Sequence, residues 1–198
     1  MKSACRQSEL SVTTTPYCSY ALDDLLLWLT ARATGLTAFA AISLSVVSGE
    51  ALRTSVLDFL ATNRALRRLH DFTTALWLPL VAAHVLTLVL DRTARITVRD
   101  VVVPFQVAYA PWQIGLGTLA LDVLIVIVVT SWLRRHMSNQ LWQWIHRTSY
   151  VAFVAIFFHA VSAGTDFDAP LVSALAWSTA AALAILGLAR VLWGRLPA

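Results

Sequence analysis

Charge is scarce in this chain. Asp, Glu, Lys and Arg make up 13% of its 198 residues and hydrophobic residues 58%, whereas a soluble domain is nearer one quarter charged and one half apolar. That excludes an ordinary water-soluble domain and points to an integral membrane protein of one bundle. Cysteine is nearly absent. Cys5 and Cys18 both fall in the polar N-terminal stretch; they cannot hold a metal cluster alone, and a disulfide or two free thiols are equally open. The seven glycines are scattered, and none forms a G-x-G-x-x-G after a strand, so no dinucleotide site is expected. No Ser/His/Asp set or carboxylate pair suggests hydrolysis, and no repeat or low-complexity tract occurs. The net charge of +4 does not call for nucleic acid, because the basic residues gather at helix ends, where membrane topology uses them. Residues 1–24 lack the basic, apolar, small-residue order of a signal peptide and are expected to form a mobile polar tail, followed by a membrane domain over residues 25–195.

Long apolar runs are what the chain has instead. Five are long enough to cross a bilayer: Leu25–Val47, Leu69–Leu90, Ile114–Trp132, Leu141–Ala163 and Leu171–Trp193. The expected fold is an all-α membrane protein, a bundle of about five transmembrane helices, with a kink at Pro79 in the second. Arg53, Arg64, Arg67, Arg68, Arg134, Arg135, Arg190 and Arg195 flank one side of this arrangement, against Arg92, Arg95, Arg99, Lys2 and Arg6 on the other. The excess places the N-terminus outside and the C-terminus in the cytoplasm of a cell inner or plasma membrane. The connection Asp91–Gln113 is longer than a turn needs, and its apolar run Val101–Phe105 reads either as an interfacial segment or as a lid over the outer end.

Four histidines lie within these segments. His70 and His84 are fourteen residues apart in the second, His146 and His159 thirteen apart in the fourth. At the helical rise per residue each pair spans about 20 Å, most of the apolar thickness of a bilayer. With the orientation above, His70 and His146 share the cytoplasmic level, and His84 and His159 the outer level. A neutral imidazole is a good axial ligand for haem iron, and a bis-histidine site takes one from each of two helices. Two stacked haem sites are therefore expected, with these four histidines as iron ligands. Zinc or non-haem iron would normally recruit carboxylates or thiols at the same level. A spacing of fourteen returns a helix to within about 40° of the same face, while thirteen leaves roughly 140°. The fourth segment is expected to bend, or to present its ligands toward different flanks.

Charges beside the histidines are the remaining candidates for binding the cofactor. Arg32 lies inside the first span at the outer level, where it is expected to neutralise a haem propionate, with Asp122 pairing it or staying protonated; a plain structural salt bridge is the alternative. Arg68 and Arg147 flank the inner histidines and either hold propionates or follow the positive-inside bias. His136 is expected to be a solvated loop residue. Trp142, Trp144 and Tyr150 fit an interfacial aromatic belt, with packing on a haem as the alternative.

Several stretches together resemble the ferric-reductase-like transmembrane domain superfamily, which includes ferric reductases, NADPH oxidases and the haem-binding membrane subunit of the methionine sulfoxide reductase system. They are W-x3-RATG at Trp28–Gly35, the His70/His84 pair, Asp100–Phe105, Thr130–Arg135, Leu141–Tyr150 and HAVSAGTD at His159–Asp166. The resemblance implies a b-type cytochrome with two non-covalent haems, ligated by His70 with His146 and by His84 with His159. It implies electrons passing from a cytoplasmic flavin donor to an acceptor outside. The FAD/NADPH module that follows the last helix in the oxidases does not follow here, so a flavin-dependent reductase is expected in trans. Two rivals stand beside this conduit: a self-contained ferric, oxygen or quinone reductase acting at the outer haem, and a non-catalytic haem sensor.

Overall fold

The computed structural model describes residues 16–52 and 62–193, and everything described is helix, turn or connection. Helix α1 runs Pro16–Ala51, α2 Asn63–Leu90, α3 Val98–Val102, α4 Pro111–Trp132, α5 Asn139–Arg147, α6 Ser149–Ala163 and α7 Pro170–Trp193, with single turns of 3-10 helix at Arg134–His136 and Thr165–Asp168. Four of these are long and apolar enough to cross a membrane: Asp23–Ala51 within α1, all of α2 and α4, and Pro170–Leu188 within α7. The first begins earlier than expected, so residues 16–24 belong to the helix and not to a tail. Cys5, Lys2, Arg6, Arg53 and Arg195 lie outside the described residues. Helix α2 is helical on both sides of Pro79.

The segment Leu141–Ala163, expected as one span, is divided. Helix α5 has nine residues and α6 fifteen, each short of the roughly 20 that a bilayer requires. The break falls at Thr148, whose main-chain N–H closes a tight turn on the Ile145 carbonyl at 3.0 Å while its hydroxyl donates to the same oxygen at 2.6 Å. A Thr hydroxyl that takes a helix carbonyl in this way competes with the regular ladder. The two halves also differ in kind. Helix α5, NQLWQWIHR, is amphipathic and is capped by Ser138, whose hydroxyl accepts from Leu141 N; α6 is mostly apolar.

Helices α1 and α2 pack closely because α1 presents small buried residues, Ala31, Ala38, Ala41, Ser45 and Ser48, at spacings of seven, three, four and three. The hydroxyls on this surface bond back to their own helix, Ser43 to Phe39 O, Ser48 to Leu44 O and Thr73 to Leu69 O, so no donor is orphaned away from water. Helices α4 and α6 close the core with Leu124, Phe153 and Phe157 against Phe39, Ile42 and Trp77. Outward faces carry Leu78, Leu86, Ile125, Val154, Phe158, Leu175 and Ile185, all exposed. In water that much apolar surface would drive association; against lipid tails it is the favourable exterior.

The connection from Asp91 to Ala110 is fastened along the first turns of α4. Thr118 Oγ1 donates to the Asp100 carbonyl at 2.9 Å. Phe105, in the left-handed region at φ 65°, lays its ring where a Cβ on Gly115 would stand only 2.2 Å away. Hydrogen bonds from the Thr97 hydroxyl and main-chain N–H hold the Asp100 carboxyl below its ordinary range, with nearby Arg99 adding to the effect against a small desolvation.

Candidate functional site

Each of three histidines is hydrogen-bonded to the backbone of a neighbouring helix. His70 Nδ1 donates to the Ser45 carbonyl at 2.8 Å, His84 Nδ1 to the Ala31 carbonyl at 2.8 Å, and His159 Nδ1 to the Gln113 carbonyl at 2.7 Å. A carbonyl oxygen only accepts, so Nδ1 carries the proton in all three, and Nε2 keeps its lone pair. This is the arrangement that orients a metal-ligating imidazole and raises its basicity.

The recess for each ring is a glycine. A Cβ on Gly35 would stand 2.8 Å from His84 Cε1 and Nδ1, one on Gly117 2.8 Å from the same atoms of His159, and one on Gly49 3.3 Å from those of His70. The accepting carbonyl lies four residues before the glycine every time: Ala31 and Gly35, Ser45 and Gly49, Gln113 and Gly117. In a regular helix that carbonyl also receives the glycine N–H, so the imidazole adds a second donor to an oxygen with two lone pairs. Gly35 and Gly49 are fourteen residues apart, as are His84 and His70. The antiparallel α1–α2 pair therefore repeats one contact at two depths. The glycine spacing was visible in the sequence and carries the signal that the histidine reading missed.

The histidines gather at two levels. The rings of His70 and His146 lie edge to face, with centres 6.4 Å apart and planes at 72°. With metal–nitrogen bonds of about 2 Å and ring nitrogens roughly 1.1 Å from the ring centre, two imidazoles sharing one metal would have their centres at most roughly 6.2 Å apart. The observed ring-centre separation is close to that value. His84 and His159 are near enough to interact electrostatically. Among the described residues no three His, Cys, Asp or Glu side chains converge.

The charged residues sort differently from expectation. Arg32 is bound not to Asp122 but to Asp166, in the turn after α6: Nε donates to Oδ2 at 3.1 Å, and Nη2 donates to Oδ1. The guanidinium also lies 4.3 Å from the centre of the Trp28 ring. This two-point bond fastens α1 to the α6–α7 turn, and the sequence concealed it because the partners are 134 residues apart. Arg68 is exposed on α2, and Arg147 is exposed with its guanidinium 4.9 Å from the Trp144 ring centre. His136 is exposed, as expected, and its Nε2 accepts from Arg135 Nε at 3.0 Å. Glu50, not anticipated from the sequence, is almost fully buried at the end of α1 and accepts from the Tyr150 hydroxyl. Together with Val46, Gly49, His146, Arg147 and Ser149, that pair lines a cleft beside the His70–His146 level.

The Asp166 bond carries a pH prediction. The hydrogen bond from Arg32 and its charge hold the Asp166 carboxyl below its ordinary value, against a smaller opposing desolvation. A carboxyl depressed in the folded state contributes stability above its unfolded value of about 3.9, and loses that contribution as pH falls through the folded value. Thermal melts in detergent should therefore show wild type losing stability below about pH 4. Asp166→Asn should melt a few degrees lower at neutral pH and show a flatter acid limb. Identical acid limbs for the two proteins would refute the assignment.

Among known proteins, no family model matches the chain, and no curated protein or solved structure matches it. The functional reading rests on the site.

Proposed function

We propose that the chain is a b-type membrane cytochrome, similar to the ferric-reductase-like transmembrane domains, that carries electrons between the two sides of a membrane through two stacked haems. The observation that supports this reading is the pair His70 and His146, whose ring centres lie 6.4 Å apart, close to the separation two imidazoles sharing one iron would show. In this reading His84 and His159 ligate the second haem. Residues Asn139–Ala163 form a fifth crossing, bent at Thr148, and the bend lets two ligands thirteen residues apart serve one bundle. The N-terminus lies outside and the C-terminus in the cytoplasm. A flavin-dependent reductase delivers electrons on the cytoplasmic side, and an acceptor or reductase takes them outside.

The haem iron, when bound, supplies the one-electron change. The chain's own residues do the rest. Carbonyls of Ser45, Ala31 and Gln113 hold three ligand imidazoles in the tautomer that offers Nε2. The apolar helices exclude water and provide the low-dielectric shell in which potentials are set. Arg147, and Arg68 at the same end, would balance the propionates of the inner haem, while Arg32, bound to Asp166, ties α1 to the turn after α6. A dithionite-reduced minus oxidised spectrum of purified protein, with a pyridine haemochrome count, tests the proposal. Two b-type haems per chain are expected; none would overturn it.

A further inference from the structure

The turn between α4 and α5 gathers three side chains around one indole. The guanidinium carbon of Arg134 lies 4.1 Å from the centre of the Trp142 ring. That ring stacks on the His146 imidazole with centres 4.8 Å apart and planes within 22°. Trp142 Nε1 donates to Ser131 Oγ at 3.3 Å, which ties the indole to the end of α4. Trp142 and His146 are one helical turn apart on α5, the spacing at which helix side chains meet. An indole held from a second helix and lying nearly parallel to an imidazole restricts that imidazole's rotation about its own Cβ–Cγ bond. Rotation of this kind sets how the ligand plane meets whatever Nε2 binds. Arg134 brings a permanent cation to the same stack, since a guanidinium stays protonated at any accessible pH.

We infer that Trp142 is the positioning residue for His146, and that the Arg134–Trp142 stack raises the reduction potential of the His70–His146 site; the inference rests on the di-haem reading. A cation near the site favours the state with one more electron. Arg134 is exposed, so solvent and salt weaken the effect without changing its sign. Axial-ligand orientation and the groups behind the ligand are among the levers by which a protein tunes such a centre. Ser131 and Arg134 belong to this device as supports of the indole and suppliers of charge, and neither touches the imidazole.

The test uses the full-length chain purified with its haems, redox titration of each haem, and low-temperature electron paramagnetic resonance. The His84–His159 haem in the same molecule is the reference. Trp142→Ala should shift the resonance signature of the His70–His146 haem, and Trp142→Phe, which keeps an aromatic ring on the imidazole, should largely restore it. Arg134→Gln, an exposed change that leaves the helices intact, should lower that haem's potential. Its reduced-to-oxidised ratio at a fixed ambient potential should fall about threefold or more, and the drop should shrink in the Trp142→Ala background. An unaltered signature in Trp142→Ala would overturn the inference, as would an Arg134→Gln effect equal at both haems. Wild-type protein without haem would overturn the di-haem reading and this inference with it.

Discussion

Replacing His146 with alanine is expected to remove one of two haems from each chain and to bring electron transfer across the membrane down to background. The imidazole of His146 lies edge to face with that of His70 at a ring-centre separation of 6.4 Å, and alanine leaves no second nitrogen at that level. A ferric haem with one protein ligand is held by far less binding free energy, because the bond lost is the one that distinguishes this position from any other apolar gap. His70→Ala should produce the same loss, since the two residues serve one site. The haem at the His84–His159 level should remain, because its ligands hang on other carbonyls, those of Ala31 and Gln113. His136→Ala is the control: that ring is exposed and bonded to its neighbour Arg135, and its removal should change neither haem count nor spectrum. Pyridine haemochrome on the purified variants, with reduction of an external acceptor in proteoliposomes, reads both effects. An absorbance spectrum of His146→Ala identical to wild type would sink the ligand assignment.

What the sequence made legible was what is periodic and local. The apolar runs place four helices long enough to cross, and the intervals within His70/His84 and His146/His159 place imidazoles at two depths. The same arithmetic left the fourth segment either to bend or to present its two histidines toward different flanks, because thirteen residues leave two side chains on different faces. It did not say which, or where a bend would fall. The bend sits at Thr148, where a hydroxyl and a main-chain N–H compete for one carbonyl, and any of several Ser or Thr residues in an apolar run can play that part. The start of α1 at Pro16 was also hidden, since its first two turns, PYCSYALD, are too polar to register as a span. Side-chain partners were the least legible. Arg32 and Asp122 matched in depth from the outer end, which suggested a pair, but a helix turns its side chains as well as stacking them, and Arg32 reaches Asp166 in a turn instead. Glu50 escaped notice because a carboxylate at a helix end ordinarily sits in water; here the Tyr150 hydroxyl meets it inside the bundle.

The second large effect is expected from residues with no side chain. A methyl group at Gly35 would stand 2.8 Å from the ring of His84, and one at Gly117 2.8 Å from the ring of His159. Carbon atoms in contact prefer about 3.5 to 4 Å, so each ring would have to swing away from the helix, or the helices part. Swinging breaks the bond from Nδ1 to Ala31 O or Gln113 O, and with it the orientation of Nε2. Losing a partner that orients a metal-ligating histidine typically costs about 10- to 100-fold in affinity. Gly35→Ala and Gly117→Ala should therefore each weaken or empty the His84–His159 site, and leave the His70–His146 haem in place. Gly49→Ala should act on the other level and less severely, because the His70 ring would be 3.3 Å from the new methyl, a gap that a few tenths of an ångström of adjustment relieves. Gly187→Ala meets nothing within 4 Å and should be silent. Helix propensity cannot produce this pattern, since alanine in a helix interior is favoured over glycine by roughly 0.5–1 kcal/mol at every position alike. Haem counts and redox titrations on the four variants decide the matter: a graded, level-specific loss is expected, and wild-type behaviour in both Gly35→Ala and Gly117→Ala would show that the imidazoles do not depend on these recesses.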